Sequence, residues 1–383
     1  MNARVSIVKC DEYVKAGVDA AVRQVINRIG GITAFVKPGE TILIKPNLLS
    51  AHVPEDAVTT HPEIVRAVVR LLKENNVVPV IGDSPSVFDT AKVNRATGMD
   101  KIAREENVEL VNFSNLPVKQ YIPKLKLTEI KQIHLSDIIN RVDGIINLPK
   151  LKTHSLTTVT FGIKNLYGLI PGSTKAMYHK LAYSTEMFTN LLVELYAIVQ
   201  PKIRLTLMDG IVGMDKEGPS NGRIRQIGIL ACSNDTVALD TVISSVVNIN
   251  LKEMKLLRLC STFGLGEISL SKIEITGDKP NITDFVLPKT HIVNYIPGSL
   301  LKILSNFVWW RPVILKNKCR ICNKCVEICP QNTIFIKKKH LKINHKNCIS
   351  CFCCNEVCPY NAIYIKTSLL LSLGRKIKRL AGM

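Results

Sequence analysis

The sequence predicts an α/β protein, a mixed or mostly parallel sheet covered by helices, with a small α+β module at its C-terminal end. Three observations carry this. Through the first 290 residues, short apolar runs alternate with segments of helical spacing, the pattern of a sheet layered by helices. Eight of the twelve cysteines then fall in two copies of one spacing, C-x2-C-x2-C-x3-C-P. The copies lie 29 residues apart, and the likeness extends past the cysteines, residues 331–336 matching 360–365.

Residues 5–8 read as a strand, and 14–29 as a helix with Val18, Ala21, Val22, Val25 and Ile29 at helical spacing. The turn Lys37-Pro38-Gly39-Glu40 introduces a strand over 41–45. A helix over 62–73, with His61 at its N-terminus, leads to a buried strand at 77–81. Further strands are read at 108–111, 142–147, 204–208 and 226–231, and further helices at 185–199 and 236–246. Residues 118–133 alternate as an inserted or edge hairpin would. The division that results is an α/β domain over 1–290, a linker over 291–310, the cysteine module over 311–366 and a basic amphipathic tail over 367–383. Trp309 and Trp310 are expected to clamp the module to the body.

The cysteine spacing is that of a bacterial-type two-cluster ferredoxin, in which three close cysteines hold one [4Fe–4S] cube and the fourth ligates the other. It assigns Cys319, Cys322, Cys325 and Cys358 to one cluster, and Cys348, Cys351, Cys354 and Cys329 to the second. A zinc ribbon gives no reason for the third close cysteine or the proline after the fourth. A disulfide framework suits small secreted chains. Cys10, Cys232, Cys260 and Cys353 are left over and read as small apolar or incidental thiols.

The formal charge of +20 is unevenly placed. From Arg311 onward fifteen Lys and Arg face only Glu327 and Glu356, a balance of +13. Such a surface suits an acidic redox partner protein or anionic lipid. In the tail, Leu370, Leu373, Ile377 and Leu380 can share a helical face beside Arg375, Lys376, Lys378 and Arg379. A docked terminal helix is the preferred reading and peripheral membrane contact the second. Nucleic-acid motifs are missing, so no such partner is expected. With neither a signal-peptide pattern nor an apolar run of spanning length, the expected setting is the cytoplasm of an anaerobe, with contact at the inner membrane face as the variant.

Several strand ends finish in polar turns, where open α/β sheets bind ligands. They are Lys45-Pro46-Asn47, Gly82-Asp83-Ser84-Pro85, the run from Asn147 to His154, and the Asp209-to-Gly222 loop, with Lys164-Asn165, Lys175 and His179 nearby. With these residues and the cysteine module the chain resembles the iron–sulfur-associated members of the "domain of unknown function 362" family. The resemblance covers nearly the whole chain; it implies an α/β domain fused to a two-cluster ferredoxin and supplies no established reaction.

Chemically, Lys45, Lys150, Lys152, Lys164 and Lys175 are expected to hold an anionic group, with Asn47, Asn147 and Asn165 around it. His154 and His179 are the proton-transfer candidates, alongside Lys150 and Lys152 as catalytic candidates. Asp83, Asp209 and Asp215 are read as balancing the lysines or holding a divalent cation. Neither a P-loop nor a Rossmann glycine fingerprint is present. The leading reading is a two-cluster electron-transfer protein or oxidoreductase acting on a small anionic substrate. The alternatives are a non-redox isomerase or transferase with structural clusters, which resembles the nickel-pincer lactate racemases by analogy, and a non-catalytic ferredoxin-like scaffold.

Overall fold

The computed structural model describes residues 2–85, 89–172, 174–291 and 307–373. In chain order the strands of the body are β1 (Arg4–Lys9), β2 (Thr41–Pro46), β3 (Val78–Asp83), β4 (Glu109–Asn112), β5 (Val118–Tyr121), β6 (Ile133–Ser136), β7 (Gly144–Leu148), β8 (Lys150–His154), β9 (Thr158–Val159), β10 (Ile203–Asp215), β11 (Arg223–Ser233) and β12 (Glu274–Gly277). β5 and β6 form a separate antiparallel hairpin. The other ten make one sheet in the order β12-β1-β11-β10-β7-β2-β3-β4, with β8 joined to β10 and β9 to β8. The run from β10 through β7, β2 and β3 to β4 is parallel, whereas β11 is antiparallel to both neighbours. The sheet is therefore mixed and mostly parallel.

The two-residue period of the strands divides the apolar side chains between two cores. On β2, Ile42 and Ile44 join one core while Leu43 joins the other. On β7, Ile146 and Ile145 divide in the same way. Helices Lys15–Asn27 and Pro62–Glu74 cover the first face through Val18, Val22, Val25, Ile64, Val68 and Leu72. Helices Thr185–Val199 and Thr236–Val246 cover the second through Leu192, Leu195, Val237 and Ile243. Each such fully buried side chain contributes about 1.5–3 kcal/mol by leaving water.

Two sequence expectations need correction. Residues 150–154 form strand β8 with every residue buried, not a polar turn. Asp209 and Gly210 lie within the long strand β10, which continues to Asp215 past an irregularity between Gly210 and Val212. Both departures arise because buried ion pairs let polar residues occupy central strands, which the hydrophobic pattern alone does not register.

In the C-terminal module β13 (Trp310–Ile314) pairs with β16 (Ile363–Thr367), and β14 (Ile334–Lys337) with β15 (His340–Ile343). The 29-residue repeat is structural. The short helices Lys324–Glu327 and Cys353–Glu356 occupy equivalent positions. Ile321 and Ser350, Asn323 and Phe352, and Asn332 and Asn361 are equivalent pairs, all left-handed with φ between 48° and 63°. Non-glycine residues adopt that conformation rarely, and here it curls each ligand loop inward. Trp310 lines a cleft shared with Tyr183 and Met254 of the body, while Trp309 stacks with Arg311 at 4.8 Å. Most of the expected linker and of the expected tail lies outside the described residues.

Candidate functional site

The carboxyl ends of β2 and β3 open onto a cavity of about 70 Å³, room for a few heavy atoms. Asn47 and Leu48 follow β2, Asp83 and Ser84 end β3, and Lys152 and His154 come from β8. Thr160, Lys164, Asn165 and Tyr167 follow, then Lys175 and His179 on helix Thr174–Leu181. Ile328, Cys353, Glu356 and Val357 of the cysteine module close the wall. The short helix carrying Lys164 and Asn165 is pinned by Asp240, whose carboxylate accepts from the Gly162 and Ile163 N–H groups at 2.8 and 3.0 Å. Burial pushes the Asp240 carboxyl up to about 7.

Lys45 and Asp83 neutralise each other beside the cavity, Nζ to Oδ1 2.9 Å. Gly168 packs so closely on them that an added Cβ would fall on Asp83 Oδ1 and within 2.6 Å of Lys45 Nζ. Lys152 and Lys175 are buried too and Lys164 is half-buried, and among the described residues none has a carboxylate partner. Lys152 donates to the Val58 carbonyl and Lys175 to that of Ser84. Lys164 lies over the rings of Tyr167, at 4.8 Å, and Phe188, at 5.7 Å. Burial brings Lys152 down to about 7 against the pull of Glu356, and Lys175 down to about 7 against that of Asp83. Burial also lowers Lys164. Three lysines without a carboxylate partner thus share one small space, where their charged forms disfavour one another.

His154 has a role other than the expected proton transfer. Its Nδ1 accepts from the Leu156 N–H at 3.1 Å, so the proton is assigned to Nε2, 3.2 Å from Glu356 Oε1. Both ring nitrogens are committed, and burial lowers the imidazole's pKa. Burial opposes ionisation of Glu356, but His154, Lys164 and His179 outweigh it and hold the carboxyl at about 2. His179 stacks on Phe188 at 4.5 Å, its Nδ1 is unpartnered, and burial takes it down to about 3.

Lys150 and Asp209 are placed outside the cavity, paired at 2.8 Å and both fully buried. Tyr13 donates to Asp209 Oδ1 at 2.7 Å and the His61 N–H to Oδ2 at 2.9 Å. Asp215 binds Arg223 and Arg225 elsewhere. Of the two roles read for these aspartates, Asp83 and Asp209 take the first, balancing Lys45 and Lys150, while Asp215 balances arginines; no group of three or more His, Cys, Asp and Glu that could hold a single metal ion is found among the described residues. His61 caps helix Pro62–Glu74, its Nδ1 accepting from Glu63 N at 3.2 Å.

The cysteines that the spacing groups together lie together. Cys319, Cys322, Cys325 and Cys358 line one hollow with Ile314, Leu341 and Ile363. Burial, with Cys358, Cys322 and Cys319 alongside, pushes the Cys325 thiol up to about 12. Cys351 and Cys329 act on Cys348, and Cys354 is raised by burial and by Cys351, Cys348, Cys325 and Cys329. Neighbouring thiolates repel, and the iron of a [4Fe–4S] core is the charge that reconciles them, so the donor set fits the group. Equivalent backbone N–H groups point at equivalent sulfurs, Thr333 to Cys329 at 3.4 Å and Ala362 to Cys358 at 3.3 Å.

Sequence reasoning missed the residues by which the module completes the cavity. Glu356 carried a signal, being one of two acids among fifteen bases in its segment. Cys353, set aside as incidental, lines the cavity beside it.

Comparison with known proteins agrees with this architecture. Residues 42–245 match the family described as "Domain of unknown function (DUF362)", and residues 318–362 match a "4Fe-4S dicluster domain". A thylakoid-associated protein of Synechocystis is 34% identical over 251 residues, 65% of this chain and 76% of that protein. The lactate racemase apoprotein of Thermoanaerobacterium thermosaccharolyticum superposes with a TM-score of 0.36 at 12% identity, over 60% of this chain and 53% of that one. The chain spans about half of that structure. No helix among the described residues is long and apolar enough to cross a membrane. The chain is an iron–sulfur protein and belongs to the domain of unknown function 362 family.

Proposed function

We propose that the chain holds two [4Fe–4S] clusters and couples them to a small anion bound in the lysine-lined cavity, as an oxidoreductase or electron-transfer subunit. Cys319, Cys322, Cys325 and Cys358 would hold one cluster, and Cys348, Cys351, Cys354 and Cys329 the other. The observation that carries the reading is the shared wall: Cys353, Glu356 and Val357 of the second ligand loop face the same cavity as Lys152, Lys164 and Lys175. When bound, the clusters supply or accept electrons singly. The remaining work falls to the chain's own residues. Three ammonium groups hold the anion, and Lys152 and Lys175, titrating near 7, keep protons beside a reacting oxygen. Glu356, fixed by His154, closes the site on the cluster side.

The basic module suits an acidic redox partner. The preferred setting is a reducing compartment, with the positive surface lying against anionic lipid as the variant that the thylakoid-associated relative supports.

Iron and acid-labile sulfide analysis of anaerobically purified protein, with EPR after dithionite reduction, tests the proposal. About eight irons and two one-electron centres are expected. Zinc, or about four irons, would overturn the two-cluster reading. A reduced spectrum that saturating carboxylate or phosphate leaves unchanged would defeat the coupling.

A further inference from the structure

We infer that the cavity selects an oxyanion carrying its own O–H donor, such as a small 2-hydroxycarboxylate or a monoprotonated phosphate, over an anion of similar charge that lacks one. The inference rests on the reading of the cavity as an anion site and adds what that ligand must donate.

The argument starts at a backbone carbonyl. Gly162 O can only accept, so the Asn147 amide at 3.0 Å must turn its Nδ2 toward it. Asn147 Oδ1 is thereby left to accept, and Asn165 Nδ2 donates to it at 2.8 Å. Asn165 Nδ2 also reaches the Lys45 carbonyl at 3.4 Å, which fixes the same orientation a second time. Asn165 Oδ1 then accepts from Asn47 Nδ2 at 2.9 Å. Three buried amides are oriented in series, and the free end of the series is Asn47 Oδ1. Reversing any one amide would set oxygen against oxygen or N–H against N–H.

Asn47 lines the cavity, is 8% exposed, and its Oδ1 has no partner. A buried acceptor is costly to leave unsatisfied, and no ammonium group of the lining reaches this one among the described residues. Thr160 Oγ1 and His179 Nδ1, also unpartnered, belong to the same lining. The Thr160 hydroxyl can rotate to either role; Asn47 cannot. The lining therefore asks for negative charge at the lysines and for a donor at Asn47, within about 70 Å³. Of the two carboxylates in the wall, Glu356 is engaged by His154, and Asp83 by Lys45 and the Leu48 and Ser84 N–H groups.

Calorimetry on the anaerobic, cluster-loaded full chain at about pH 7.5, where phosphate is mainly the monoprotonated dianion, tests this with two matched pairs, glycolate against acetate and phosphate against sulfate. The two arms separate a carboxylate from a phosphate ligand. In the arm that binds, the protic member is expected to bind at least about tenfold more tightly. In Asn47→Leu the ratio should fall to near one. In Asn47→Asp, which keeps the acceptor, the preference should persist while both affinities drop. Equal affinities within the pairs in the unsubstituted protein would overturn the inference and leave the anion site standing. Failure of all four ligands to bind would overturn the anion site and the inference with it.

Discussion

Replacing Lys150 by methionine separates architecture from function in the lysine cluster. Lys150 Nζ and Asp209 Oδ2 lie 2.8 Å apart with both side chains fully buried. Methionine keeps the apolar stem and removes the charge, leaving a carboxylate with two neutral donors, the Tyr13 hydroxyl and the His61 N–H. Breaking a buried pair by deleting one partner costs about 3–5 kcal/mol. The two surviving hydrogen bonds place this case at the lower end, about 3 kcal/mol, or a fall in melting temperature of roughly 4 °C for a chain of this length. Lys150→Met combined with Asp209→Asn removes the orphaned charge and should recover more than half of the loss. Guanidinium unfolding of the anaerobic holoprotein, followed by far-UV circular dichroism, measures both variants against the unsubstituted protein. Anion affinity should change by less than threefold in each, because Lys150 does not line the cavity. Unchanged stability with lost anion binding in Lys150→Met would refute the assignment, as would a double variant no more stable than the single one.

Further outcomes follow from the cavity. Lys152 and Lys175 titrate near 7, so anion affinity should be highest below that pH and fall as they deprotonate above it, which calorimetry from pH 6 to 9 reads. Without ligand the unfolded chain binds more protons at these lysines between about pH 7 and their ordinary value of 10.5, so their contribution to stability rises across that window; denaturant titration with and without saturating anion isolates it. Gly168→Ala should cost about 3 kcal/mol and weaken anion binding, because its Cβ displaces the buried Lys45–Asp83 pair; thermal melts and calorimetry check both. An anion beside the second ligand loop disfavours an added electron, so a ligand that binds the reduced protein tenfold less tightly should lower a midpoint potential by about 59 mV in an anaerobic redox titration.

Much of the sheet was legible because its strands are built from period-two apolar residues. Ile42, Leu43 and Ile44 announce β2 and divide between the two cores as their alternation demands. Strand β8 was not legible. Lys150, Lys152 and His154 are polar by composition, and only the tertiary pairing shows that all three are buried. Sequence proximity also placed Lys150 and Lys152 in one site. Opposite β8 the strand β10 is irregular, with Asp209 facing Lys150 and Met214 facing Lys152. That mismatch gives one lysine a carboxylate and leaves the other without one. The grouping of the cysteines was readable because iron–sulfur ligation imposes a rigid local spacing. Glu356 and Cys353 were hidden because they act across the junction between module and body, a relation absent from local pattern.

That junction argues against treating the cysteine module as an appended electron carrier. Helix Cys353–Glu356 is gripped from the body at three points: Ser220 Oγ donates to the Glu356 carbonyl at 3.1 Å, Asn221 Nδ2 to the Asn355 carbonyl at 3.4 Å, and His154 Nε2 to the Glu356 carboxylate at 3.2 Å. Remove the helix, and the cavity loses one wall, while Lys152 and Lys164 lose the carboxylate that offsets them. Water would then enter, and the burial that holds Lys152 and Lys175 near 7 would be relieved. The cavity's volume, charge and proton affinity are therefore set by the folded ligand loop, which lies between Cys351 and Cys358. On the proposed reading, a cluster that orders this loop would complete the anion site even before any electron moves, so loss of binding in a cluster-free variant would not by itself demonstrate redox chemistry. Only a quantity that changes with oxidation state at constant fold, the potential or its reciprocal in ligand affinity, distinguishes the two roles.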